Sequence, residues 1–128
     1  MAFGESLYTY LKTQSALTAL VNYRIYPVIL PQKCKLPALT YEMINRFPVH
    51  VMGSDSGPEH VIYRIHCFDE TYDNVNDVAD QVIAALEDYT GAMGSNTVQR
   101  CFYEDRTDQY ESQVLTPHII LEFEIWYT

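Results

Sequence analysis

The sequence predicts an α+β domain of two layers, an antiparallel β-sheet with helices on one face. Three observations predict it. Apolar residues step by three and four over "VNDVADQVIAAL"; they alternate over "HIILEFEIWYT"; and they alternate again on both sides of the turn "GSDSG". The expected order is α-β-β-α-β-β, with a long β-hairpin arm. At 128 residues, 48% of them hydrophobic and 20% charged, the chain suits a single domain over residues 1–128 with a core that needs no staples.

Residues 5–11 place Leu7, Tyr8 and Leu11 at helical spacing, and "SALTALV" continues the helix, with Ser15 as a cap and a stop near Asn22. In "YRIYPVILPQKCKLP", prolines at 27, 31 and 37 exclude a helix and suit an extended crossing segment. Two strands then flank "GSDSG". Leu39, Tyr41, Met43, Phe47, Val49 and Val51 share one face of the first; Val61, Tyr63, Ile65 and Cys67 share one face of the second. A turn centred on Asp55 sets Val49 opposite Val61 and Phe47 opposite Tyr63, which superimposes the apolar faces. Pro48 puts the first strand at an edge or kinks it.

"DETYDNVNDVADQVIAALEDYTG" is the clearest helix. Val75, Val78, Ala79, Val82, Leu86 and Tyr89 form its apolar stripe, and Asp73, Asp77 and Asp80 its wet face. Asp69, Glu70 and Asp73 suit the positive end of the helix dipole, and Gly91 suits the stop. Two strands close the chain. One lies near Val98 to Tyr103; the other points Ile119, Leu121, Phe123, Ile125 and Tyr127 inward and Glu122 and Glu124 outward.

Lengths make the first hairpin conspicuous. A strand from Ala38 to Met52 runs about 50 Å at roughly 3.3 Å per residue, whereas a helix of about 17 residues spans about 25 Å. One helix cannot cover the whole apolar face. The half nearest the turn, with Phe47, Val49, Val51, Met52, Val61 and Tyr63, is expected to project and to meet another chain. The competing expectation is that the first helix or "YPVILP" folds over it.

Chemistry is sparse. No run approaches the roughly 20 apolar residues that span a bilayer, the N-terminus lacks the pattern of a signal peptide, and no membrane partner is expected. Cys34, Cys67 and Cys101 form no CxxC pair and suit a reduced cytosolic chain, with Cys67 on the apolar parity of its strand. His50, His60, His66 and His118 fit no helical metal motif and read as surface histidines, so no metal is expected. Glu104, Asp105, Asp108 and Glu111 crowd "YEDRTDQYE", which reads as a solvated hairpin loop ahead of a Mg²⁺-binding nuclease cluster. There is no GxSxG, P-loop or GxGxxG. No catalytic residue and no cofactor is expected. Charge is uneven: residues 1–68 hold six Lys/Arg against four acids, net +2, and residues 69–128 hold two against thirteen, net −11. That acidic half repels DNA rather than gripping it.

Several segments together resemble one family, the tail-completion or tail-terminator proteins of long-tailed bacteriophages and prophages. They are "SLYTYLKTQSALTALVNYRIYPVILP", "LPALTYEMI", "GSDSG" and "VIYRIHCFDETYDNVNDVADQVIAAL", with a weaker likeness in the final strand. The likeness lies in their order and spacing and covers about three quarters of the chain. It implies a non-enzymatic α+β subunit, made in the host bacterial cytoplasm, that forms a homo-oligomeric, hexameric ring at the head–tail junction of the virion. Such a ring ends polymerisation of the tail tube, meets the tail tube protein and the head-connector or head-completion protein, and lets DNA pass without specific binding. The hairpin around Gly53 to Gly57 then looks like the element that reaches a neighbour. The alternative is a small α+β ligand-binding or regulatory module, which oligomeric mass distinguishes.

Overall fold

The computed structural model describes residues 3–28, 35–47, 59–94, 96–111 and 116–127. The elements in chain order are α1 (Phe3–Lys12), α2 (Ser15–Val21), β1 (Ile25–Pro27), β2 (Ala38–Phe47), β3 (Glu59–Phe68), α3 (Tyr72–Leu86), β4 (Gly91–Met93), β5 (Asn96–Glu111) and β6 (Thr116–Tyr127). The strands form one mixed sheet in the order β1-β2-β3-β6-β5-β4. The α+β class holds. The order is richer than the sequence predicts: a break divides the first helix in two, and three-residue strands are added at both margins. β1 runs parallel to β2, while every other pairing is antiparallel.

The core lies between one sheet face and the helices. Leu7 and Leu11 of α1, Leu17 and Val21 of α2, and Val75, Val78, Ala79, Val82 and Leu86 of α3 pack with Val61, Ile65 and Cys67 of β3. Ile119, Leu121, Phe123 and Ile125 of β6 are fully buried, and Tyr127 nearly so, as the alternation requires. Asp73, Asp77 and Asp80 are exposed, as the helical stripe requires. Burial also pushes the Cys67 thiol well up and the Cys101 thiol up to about 12, so both are inert core groups.

Local signals depart from expectation at several ends. Gln14, not Ser15, caps α2 and supplies no side-chain bond, but Asn22 ends the helix in the left-handed conformation (φ 50) that asparagine tolerates. Thr71 caps α3, its hydroxyl accepting from the Asn74 amide. α3 stops at Leu86, and Gly91 instead opens β4. Gly94 carries φ +59 in the turn after β4, where a Cβ would come within 2.8 Å of the Ser6 Cα. Glycine there lets α1 close on the turn, and the Ser6 hydroxyl donates to Asn96 across it at 2.5 Å.

Candidate assembly surface

The expected interface residues divide three ways. Val49, Val51 and Met52 lie outside the described residues. Phe47 ends β2, at a register position opposite His60 rather than Tyr63. Val61 and Tyr63 require a correction: they are 1% and 6% exposed and belong to the core of their own subunit. β3 is paired on both sides, and the first turn of α1 lies over its neighbourhood. A Cβ added at Gly4 would meet the Tyr41 ring at 3.1 Å and the Tyr63 hydroxyl at 3.6 Å. The competing expectation, that the first helix folds over this stretch, therefore holds at Tyr63.

The register is set four places from the expected one before any irregularity, with Leu39 opposite Cys67 and Tyr41 opposite Ile65, and a bulge then takes back one place. Met43 pairs with Tyr63 and Asn45 with Ile62, leaving Ile44 extra. From there even positions of β2 take the parity that odd positions held. Met43 and Ile44 are 51% and 40% exposed, an apolar pair at the sheet margin that the uninterrupted alternation conceals.

The largest departure is at the other hairpin. "YEDRTDQYE" is not a loop; it is the second half of β5, sixteen residues long and paired with β6 up to Glu111↔Thr116. Bulges between Val98 and Arg100 and between Tyr103 and Asp105 absorb Gln99 and Glu104. The acids are dispersed by this geometry. Asp105 stands opposite Glu122 on the face away from the helices, while Asp108 accepts from Arg106 Nε at 3.0 Å and from the Tyr72 hydroxyl of α3. Those two donors hold the Asp108 carboxyl below its usual range, the Tyr72 bond foremost. Arg106 also donates to Asn76, so the N-terminal part of α3 is pinned to mid-β5.

The sheet face away from the helices is a polar ladder of half-buried side chains. Arg64 of β3 approaches Glu122 of β6 at 3.6 Å. His60 stacks on Trp126 with ring centroids 3.9 Å apart and reaches Glu124 at 3.1 Å. Glu42, His66 and His118 form a chain across three strands, with Glu42 Oε1 2.7 Å from His66 Nε2 and His66 Nδ1 2.7 Å from His118 Nε2. These histidines are thus not freely solvated, contrary to the expectation from sequence. A carboxylate only accepts, so His66 Nε2 carries the proton toward Glu42. With the proton on Nε2 alone, His66 accepts at Nδ1 from His118 Nε2–H, and His118 Nδ1 is buried with no hydrogen-bond partner. Burial first, and His66 second, lower the His118 pKa to about 4. Among the described residues no cluster of three or more His, Cys, Asp or Glu is arranged to hold a metal. An open cleft of about 260 Å³ lies beside β5, lined by Asp88, Thr90, Gln99, Arg100, Cys101 and Phe102.

A helix-backed mixed sheet with long antiparallel pairings suits an assembly subunit, and the known proteins agree. The family described as Tail completion protein gp17 matches residues 5–128. The chain belongs to that family. Membership makes this tail-completion protein a structural component of phage-type tails. Among curated proteins none matches. A solved chain described as "Virion of native gene transfer agent (GTA) particle" is similar in fold, with a TM-score of 0.73 at 14% identity, covering 94% of this chain and 90% of that one. At that identity the likeness concerns fold alone, and it extends over nearly all of the tail-completion protein.

Proposed function

We propose that the protein forms a closed homo-oligomeric ring, a hexamer, at the head-proximal end of the tail tube, where it ends tube polymerisation and joins tail to head. The observation that carries this reading is the family match over residues 5–128. The ring needs one heterologous contact repeated until it closes, so each subunit must offer two unlike surfaces. Two features support that requirement: the charge split between the halves of the chain, and the unlike margins of the sheet, β1–β2 on one side and β5–β4 on the other. The segment containing Val49, Val51 and Met52, with Phe47 at its start, remains the proposed arm toward a neighbour or tail partner. Tail tube protein and head-completion protein are the partners of the ring's two rims, and the role is structural rather than catalytic. Electron microscopy of tails made with and without the protein tests it. Overlong or head-incompetent tails are expected in its absence; tails of normal length that join heads without it would overturn the proposal.

A further inference from the structure

Among the described residues the sheet ends in two partly open strand edges of opposite direction. On one side β1 covers β2 only over Leu39–Tyr41. The Leu39 amide donates to Arg24 and the Tyr41 carbonyl accepts from Val28, so odd residues of this stretch aim their backbone groups outward from β3. Val28 then takes φ 62, a conformation rare for a β-branched residue, which ends the β1 ladder. Met43, two residues beyond Tyr41, therefore presents its N–H and C=O to a flank with no partner strand among the described residues. On the other side β4 covers β5 only over Asn96–Val98. The Cys101 carbonyl accepts from Asp88 from that same flank. Alternation past the Glu104 bulge aims the backbone of Arg106 and Asp108 outward in turn. Beyond Cys101, β5 has no second partner strand among the described residues.

An unpaired edge of this length is a template for another strand. We infer that the occupant is a second copy of this chain, with the open edge of β5 pairing antiparallel to the open edge of β2 in the next subunit. This pairing rests on the ring proposed above and adds the surface that closes it. Three features select a second copy over an unrelated peptide. The edges come as a pair at opposite ends of one sheet. Successive antiparallel pairings make β5 run opposite to β2, so subunits related by rotation about an axis along the strands meet with these edges antiparallel. The edges also differ in chemistry: Met43 and Ile44 are apolar and exposed with Arg46 beside them, whereas β5 carries Glu104, Asp105, Asp108 and Glu111. Unlike edges join head to tail, as ring closure requires, and like edges repel along β5.

Cysteine cross-linking on assembled tails tests the pairing. Asn45 of β2, and Asp105 and Thr107 of β5, are exposed at register positions on the sheet face away from the helices. Asn45→Cys protein mixed with Asp105→Cys or with Thr107→Cys is expected to form disulfide-linked dimers, while each variant alone forms none. Cross-links within a single variant, or assembled tails that give no mixed cross-link with either β5 variant, would overturn the edge pairing and leave the ring standing. Tails on which the unaltered protein never assembles would instead remove the ring itself, and this inference with it. An extended peptide from another tail protein bound at either edge, found by mass spectrometry in place of the mixed dimer, would likewise overturn it.

Discussion

The β2–β3 hairpin carries apolar residues toward its turn yet buries those of β3 inside its own subunit, whereas the β5–β6 hairpin joins an apolar strand to one dense in acids and runs longer within the described residues. In the first, "FPVHVM" advertises contact and Val61 and Tyr63 do not deliver it. In the second, "YEDRTDQYE" advertises solvent and forms ladder. The difference teaches that side-chain polarity reports what a strand's faces meet and says little about what its edges do. β5 is held by backbone pairing to β6 and by the Tyr72, Asn76, Arg106 and Asp108 contacts to α3, so its exposed side chains are free to be acidic.

One chemical change placed at two points of the first hairpin sharpens the contrast most. Val61→Asp puts an unpaired carboxylate into a site 1% exposed, and a loss of several kcal/mol is expected, enough to unfold the subunit. The double change Val49→Asp with Val51→Asp is expected to leave the thermal melt of the subunit within a few degrees of wild type and to abolish assembly. Circular dichroism melts and electron microscopy of tails read both. A melted subunit from the double variant would make the turn segment part of the subunit's own core and end its role as an arm.

A middling effect ties the two hairpins together. His118 of β6 reaches Glu42 of β2 through His66, with Phe68 stacked on it at 4.3 Å. Its folded pKa is lowered from 6.5 to about 4. The unfolded chain therefore takes up this proton first. The group's contribution is complete above pH 6.5, falls as pH drops toward 4, and is flat below that, with about 2 kcal/mol lost by pH 5. Urea titrations at pH 7.5 and 5.0 measure the loss, and His118→Gln is expected to shrink it by most of that amount. An unchanged pH dependence in His118→Gln would mean that the histidine chain does not link the hairpins.

The smallest expected effect is none. If the acids of β5 and α3 make this half of the molecule repellent to polyanions, duplex DNA should give no gel shift at micromolar protein in about 20 mM salt, where basic contacts are least screened. A clear shift would show that the basic residues of the first half outweigh the acidic strand.

Much of this fold is legible in residue spacing, and what is not has a common cause. α3, β3 and β6 keep one period from end to end, so the apolar stripe from Val75 to Leu86 and the alternation from Ile119 to Tyr127 place themselves. β5 does not. Its core-side residues Val98, Cys101 and Tyr103, then Arg106 and Asp108, are spaced three, two, three and two apart because Gln99 and Glu104 are bulged, and no single period fits. The same fault at Ile44 turns Phe47 to the parity of His60, on a ladder whose register is already four places from the expected one at Met43. β1 and β4, at three residues each, are too short to show any period. The pairing of His66 with His118 spans 52 positions, and only the strand order β3-β6 brings it about. Of the candidate interface, the apolar residues of the proposed arm are legible in sequence; the edges left unpaired among the described residues are not, since an edge is a property of which strands are absent alongside.

All three bulges among the described residues lie on β2 and β5, and each works on a strand as a frameshift works on a reading frame. Downstream of the extra residue the same spelling is read onto the other face. Deleting Ile44 would take out the extra residue itself and close the ladder, leaving Asn45 opposite Ile62, Arg46 opposite Val61 and Phe47 opposite His60. A one-residue deletion outside a bulge, by contrast, turns every residue beyond it to the other face of the sheet, and so rewrites the chemistry of a whole strand end while altering the identity of no remaining residue.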